Sequence, residues 1–155
     1  MTYLLLKYLH VLGGIIILGT GTGIAFFMLI AHRSGDPSFI ARTAGVVVLA
    51  DYLFTTTAII AQPVTGYLLM RELEIPLSET WVAMSLALYL TAGVFWLPVV
   101  WVQRRMRDLA VHASASDEAL PTSYYRLFRL WFIFGVPSFG AILAIIWLMI
   151  AKPSW

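Results

Sequence analysis

Lys7 and His10 lie three residues apart inside a long apolar run. Ionisable groups are costly in lipid, so they mark surfaces that face a protein interior. At about 100 degrees per residue, Tyr3, Lys7, His10, Gly14, Ile17 and Gly21 share one helix face. His10 falls roughly 9 Å inside the outer membrane boundary by the helical rise. Gly14 lies one turn below it, with Gly13 beside it. A histidine above a glycine floor is what a flat porphyrin needs. The imidazole reaches the iron, and the absent side chain admits the ring. Lys7, one turn outward, is placed to meet a propionate. The competing reading is structural: His10 hydrogen-bonds a neighbouring helix and Lys7 snorkels to the headgroups.

A second constellation lies further along. Asp51, Thr55, Ala58, Gln62 and Thr65 recur at spacings of three and four, which puts them on one helix face. That face is expected to point into a bundle. Pro63 follows Gln62 and frees a backbone carbonyl one turn back, with a kink expected there. The expected partner of Asp51 is Arg129, at comparable depth in another helix, as a structural ion pair. A proton relay is the functional alternative.

The remaining candidates are fewer. Met84 and Ser85 fall in the same layer as His10, with Gln62 and Thr65 at nearby depth. Met84 is a candidate second iron ligand, because His/Met ligation is a known haem arrangement, although a lone methionine is more often core filler. His32 is about 33 Å from His10 along an unbroken helix, so the two cannot grip one iron. His32 is expected to be solvated at the inner interface, and His112 to lie wet in a loop. Gly19-Thr20-Gly21-Thr22-Gly23 lies mid-span and is no nucleotide loop. No HExxH pair and no nucleophile elbow occurs in the sequence. Hydrolysis and nucleotide chemistry are therefore poor expectations.

These residues need elements to hold them. The sequence is 61% hydrophobic and 12% charged. Soluble domains carry roughly a quarter charged residues, so the chain reads as one transmembrane domain over residues 1–155. Runs at about 4–31, 44–70, 81–102 and 127–151 each satisfy the roughly 20 residues a bilayer requires. They are continuous rather than alternating, which argues against strands. The fold expected is all-α, a four-helix transmembrane bundle. The first run is expected to be retained, since it is too long for a signal-peptide core. Gln103 to Arg126 reads as the longest connection. With no cysteine, disulfides and thiolate sites are excluded. The net charge of +2 gives no argument for nucleic acid.

Charge placement orients the bundle. Arg33, Arg42, Arg104, Arg105, Arg107, Arg126 and Arg129 gather at one end, against Lys7, Arg71 and Lys152 at the other. The basic end is expected in the cytoplasm, so both termini face outward. Trp101 and Tyr124 are expected at the inner interface, and Tyr3, Trp81 and Trp155 at the outer one. Reporters fused to either terminus should read as external, and a cytoplasmic signal from either would reverse the assignment. Gly19 and Gly23 form a GxxxG pair away from the His10 face, which suits a close helix contact or a partner membrane subunit.

The chain resembles small bacterial integral membrane proteins grouped as a domain of unknown function of the DUF2269 type. The likeness is carried by Tyr3-Leu4-Leu5-Leu6-Lys7-Tyr8-Leu9-His10-Val11-Leu12-Gly13-Gly14, by Gln62-Pro63-Val64-Thr65-Gly66 and by Tyr125-Arg126-Leu127-Phe128. More distantly it resembles HemJ-type protoporphyrinogen oxidases and CopD-type membrane proteins. Lys7 and His10, the tryptophan-led third run at Trp81, the Tyr-Arg-x-Phe segment and Lys152-Pro153 carry that likeness. It implies haem b with His10 as axial ligand. A lysine expected early in the third helix is replaced by the neighbourhood of Met84 and Ser85. The resulting expectation is a haem b protein of the bacterial plasma membrane, for electron transfer or porphyrin oxidation. Its site would be His10, Lys7, Gly14, Met84, Ser85 and Gln62. The alternative is a non-enzymatic transport or accessory protein using Asp51, Thr55 and Gln62, alone, as a homo-oligomer or with a partner subunit at Gly19 and Gly23.

Overall fold

A computed structural model describes residues 1–153. The outer-interface position expected of Trp155 lies outside the described residues. Four helices account for nearly all of them: α1 Thr2–Ser34, α2 Pro37–Glu72, α3 Thr80–Ala115 and α4 Thr122–Ala151. Each is long and apolar enough to cross a membrane. Among the described residues, thirty-seven large hydrophobic side chains remain exposed, which water would punish and lipid solvates.

The helices outrun their apolar cores, and the reason is local. At the first turn, Gly35 takes φ 68°, a left-handed conformation that closes α1 with a hydrogen bond from its amide to the His32 carbonyl. Asp36 then caps α2 by accepting the Ser38 amide at 2.9 Å, with Pro37 at the first helical position. The connection expected over Gln103 to Arg126 is mostly helix. Met106, Ala110 and Ala113 recur at spacings of three and four and are buried, while Arg104 and Arg105 on the opposite face stay exposed. At 36 residues, α3 is roughly 54 Å long, well beyond a hydrocarbon core of about 30 Å. His112 therefore stands exposed on a helix, not in a loop.

The core is lopsided. Met28, Ala31, Ile40, Ala44, Val102, Met106, Ala110 and Tyr124 are at most 1 to 2% exposed, and all lie in the half of the bundle nearer the basic end. Here α2 packs between α1 and α3. Past its middle, α2 keeps α1 and leaves α3, while α3 stays along α4 for its length. The terminal half of the bundle is therefore two helix pairs, α1 with α2 and α3 with α4.

The change of partner falls at Asp51–Thr55, one turn of π-helix inside α2. Thr56 returns both its amide and, at 3.0 Å, its hydroxyl to the Asp51 carbonyl five residues back. The extra residue in that turn rotates the remainder of α2 about its axis. α2 then runs on through Pro63 as helix. The carbonyl that Pro63 leaves free is that of Ile59, and the Tyr89 hydroxyl of α3 donates to it at 2.7 Å. Few contacts tie the two pairs together beyond the π-turn, and this hydrogen bond is one of them.

Candidate functional site

His10 faces α2. Its Nδ1 lies 2.9 Å from the Thr65 hydroxyl, and Gly66 leaves room for the ring edge, 3.2 Å from where a Cβ would stand. The Thr65 hydroxyl donates to the Ala61 carbonyl at 2.8 Å, so in the neutral imidazole it accepts from Nδ1–H. That leaves the lone pair on Nε2, which has no hydrogen bond among the described residues. Gln62 answers from the other side, donating to the His10 carbonyl at 2.8 Å.

The glycine floor is used by the protein itself. A Cβ on Gly13 would stand 2.5 Å from the Gln62 amide nitrogen, and one on Gly14 would stand 3.8 Å from it. Gln62 thus fills the space the glycines open. Met84 and Ser85 belong to the other helix pair. Met84 is 42% exposed, and buried Ser85 donates to the Trp81 carbonyl of its own helix at 2.7 Å. Lys7 is exposed, with its ammonium 5.7 Å from the Tyr3 ring centroid. At Gly19 and Gly23, no atom of the described residues comes within 4 Å of where a Cβ would stand, so the close contact expected there is not made within them.

Where the pairs part, a cleft of about 670 Å³ lined by all four helices opens to the lipid-facing surface, with exposed Leu90, Val94, Leu97 and Val136 along its rim. Its walls are overwhelmingly apolar: Ile17, Gly21 and Ile24 from α1, Ile59 from α2, Ala92 and Gly93 from α3, Gly135 and Phe139 from α4. Its polar groups collect toward the basic end, where Asp51, Thr55, Trp96, Gln103 and Trp131 meet. Asp51 is 4% exposed. The Gln103 amide fits only one way round between its neighbours: its nitrogen donates to Asp51 Oδ2 at 2.8 Å and its oxygen accepts from the Trp131 indole at 3.1 Å. The Thr55 hydroxyl and the Trp96 indole lie beside the same carboxylate. The hydroxyl closes no hydrogen bond of its own among the described residues.

Arg129 is exposed, so the ion pair expected with Asp51 is not formed. The one ion pair among the described residues joins neighbours Arg107 and Asp108 at 2.7 Å. A neutral amide replaces the expected guanidinium because the Gln103 face of α3 turns inward while Arg129 lies on the outer face of α4. Two other aromatic expectations change. Tyr124, expected at the inner interface, is fully buried against its neighbours instead of facing the headgroups. His32 is stacked on Phe128, centroids 3.6 Å apart and planes within 5°, rather than solvated. Trp101, expected at the inner interface, is 61% exposed on the surface of the bundle.

Four membrane-length helices around a partly open apolar cavity define an integral membrane protein of the helical-bundle class. The chain belongs to the family described as predicted integral membrane protein (DUF2269), whose model matches residues 4–153. No curated protein and no solved structure matches it.

Proposed function

We propose that this protein binds a small hydrophobic molecule within the bilayer and serves as a non-enzymatic transport or accessory protein. The carrying observation is the cavity itself. Its about 670 Å³ lie in the size range of small-molecule sites, with apolar walls and a few convergent polar groups at one end. Asp51 and Thr55 of the α2 stripe supply part of that end. Gln62 acts elsewhere, tying α2 to α1. In this reading the basic end faces the bacterial cytoplasm.

A second reading has one observation in its favour. With the Thr65 hydroxyl donating to Ala61, it is placed to accept from Nδ1–H of His10, and this is how a metal-ligating histidine is commonly prepared. His10 would then hold the iron of a haem b through Nε2. When bound, the group would supply one-electron chemistry. The residues fit one ligand but not the expected slot, because Gln62 fills the gap at Gly13 and Met84 sits on the other pair.

One preparation tests both. Protein in which Trp81, Trp101, Trp147 and Trp155 are replaced by phenylalanine, purified into nanodiscs, is titrated with a neutral brominated hydrocarbon, which quenches the fluorescence of the remaining Trp96 and Trp131 when it enters the cavity. A Cβ on Gly93 or Gly135 would meet nothing within 4 Å, so Gly93→Phe and Gly135→Phe fill space without a backbone clash. Each variant should weaken saturable quenching at least tenfold. Unsaturable quenching, or quenching indifferent to both variants, would refute the cavity reading. The same sample, after haem reconstitution, should show a Soret band lost in His10→Ala if the second reading holds. No band in the wild type ends it.

A further inference from the structure

Asp51 is a buried carboxylate without a counter-ion among the described residues. Its neighbours are neutral: the Gln103 amide donates to it, and the Thr55 hydroxyl and the Trp96 indole lie beside it. Among the described residues, no Lys, Arg or His lines the cavity from any of the four helices. α1 and α4 bring no titratable side chain to it, and α3 brings only Tyr89, whose hydroxyl is already given to Ile59. An ionised carboxylate in such a place costs far more than one that holds a proton. Such groups persist in membranes where the cost is recovered by function.

The site is built to receive something. Asp51 is 4% and Thr55 is 5% exposed, and both line the cavity. The Thr55 hydroxyl is free to turn toward a guest. The π-turn brings the two side chains to the same wall, at the level where α2 leaves α3. The ligand such a site selects has an apolar body for the walls and a positive charge for the carboxylate.

Resting on the cavity reading, we propose that the cavity takes a lipophilic cation and that the cation displaces a proton from Asp51. The exchange balances: the carboxylic acid O–H breaks, its proton passes to water, and the carboxylate left behind pairs with the incoming charge. No electron moves and no bond forms to the ligand. The charge inside the cavity is the same before and after, so the low-dielectric walls never enclose a net charge. Thr55 supplies a second oxygen at the cation, and Gln103 holds the carboxylate in place through both protonation states, since its nitrogen donates to either.

The test uses two probes on protein in nanodiscs of zwitterionic lipid. Tetraphenylphosphonium carries a permanent charge, and tetraphenylmethane is its neutral counterpart. Wild-type protein should bind the cation more tightly as pH rises, by up to tenfold per unit. In weakly buffered solution it should release one proton per cation bound, a measurement that needs no variant. Asp51→Asn keeps a carbonyl oxygen for Gln103 and should lose both the pH dependence and at least tenfold in cation affinity. Thr55→Val should lose a few-fold and keep the pH dependence. Cation binding without proton release, or with a pH dependence that survives in Asp51→Asn, would overturn the exchange. If the neutral probe still binds in that case, the cavity reading stands alone. If neither probe binds, both fall.

Discussion

Gln103→Leu should destabilise the protein by about 3 kcal/mol, through two groups the mutation never touches. The Gln103 amide is the bridge between the Asp51 carboxylate at 2.8 Å and the Trp131 indole at 3.1 Å. Leucine has similar volume, so packing changes little. What changes is that a buried acceptor and a buried donor lose their partner together, at about 1–3 kcal/mol each and more if Asp51 is charged. Gln103 is 1% exposed, so bulk solvent does not simply stand in for the amide between the two groups, although Asp51 itself lines the cavity. The comparison that isolates the cause is Asp51→Leu with Gln103→Leu. Removing both polar partners takes away the orphaned carboxylate and leaves only neutral donors behind, so the double variant should be more stable than Gln103→Leu alone. Equilibrium unfolding in mixed micelles measures all three. If the double variant is the least stable, the bridge is not what holds the site.

That bridge also marks where the sequence stopped being informative. The four spans were legible because length and apolar composition alone decide whether a segment enters a bilayer. Helix ends were not. Arg104, Arg105 and Arg107 look like a loop when counted as charge, yet Met106, Ala110 and Ala113 between and beyond them carry a buried helical stripe. Reading Gln103 as the start of a connection hid it from Asp51, which lies fifty-two positions earlier. The polar stripe of α2 was legible by its spacing, and so was the free carbonyl before Pro63. What accepts or donates across helices was not, because register between helices is set by packing. Periodicity on one helix does not contain it.

The His10 face shows the same limit from the other side. His10, Gly13 and Gly14 were legible as a set, and so was Gln62 at a nearby depth. The sequence left a porphyrin and a helix contact as alternatives. The structure places Gln62 in the glycine gap and Thr65 on the ring nitrogen. The cavity was invisible, because it exists only where two helix pairs separate. The π-turn that coincides with this separation has no residue signature of its own: Asp51-Tyr52-Leu53-Phe54-Thr55 is an ordinary membrane-helix pentapeptide apart from its aspartate.

Tyr124→Ala should cost about 3–5 kcal/mol, while Tyr124→Phe should cost less than about 1 kcal/mol or stabilise. Tyr124 is 0% exposed in the first turn of α4, at the basic end, where the helices extend past the hydrocarbon. Its ring stacks on His32 with centroids 5.8 Å apart and meets Tyr125 edge-on at 5.5 Å. Truncation to alanine removes those contacts and opens a cavity that water-facing helix ends cannot refill. The hydroxyl is a different matter. It is buried and has no partner among the described residues, and the same holds for Nδ1 of the neighbouring His32. A buried hydroxyl with no protein partner among the described residues adds little to stability on its own, so phenylalanine should be tolerated. The alternative is a single water joining the two atoms, which would make the hydroxyl worth keeping. The two accounts part on His32→Phe: with no bridge, Tyr124→Phe has the same small effect in either background. With a bridge, Tyr124→Phe costs more than about 1 kcal/mol alone and little once His32 is gone.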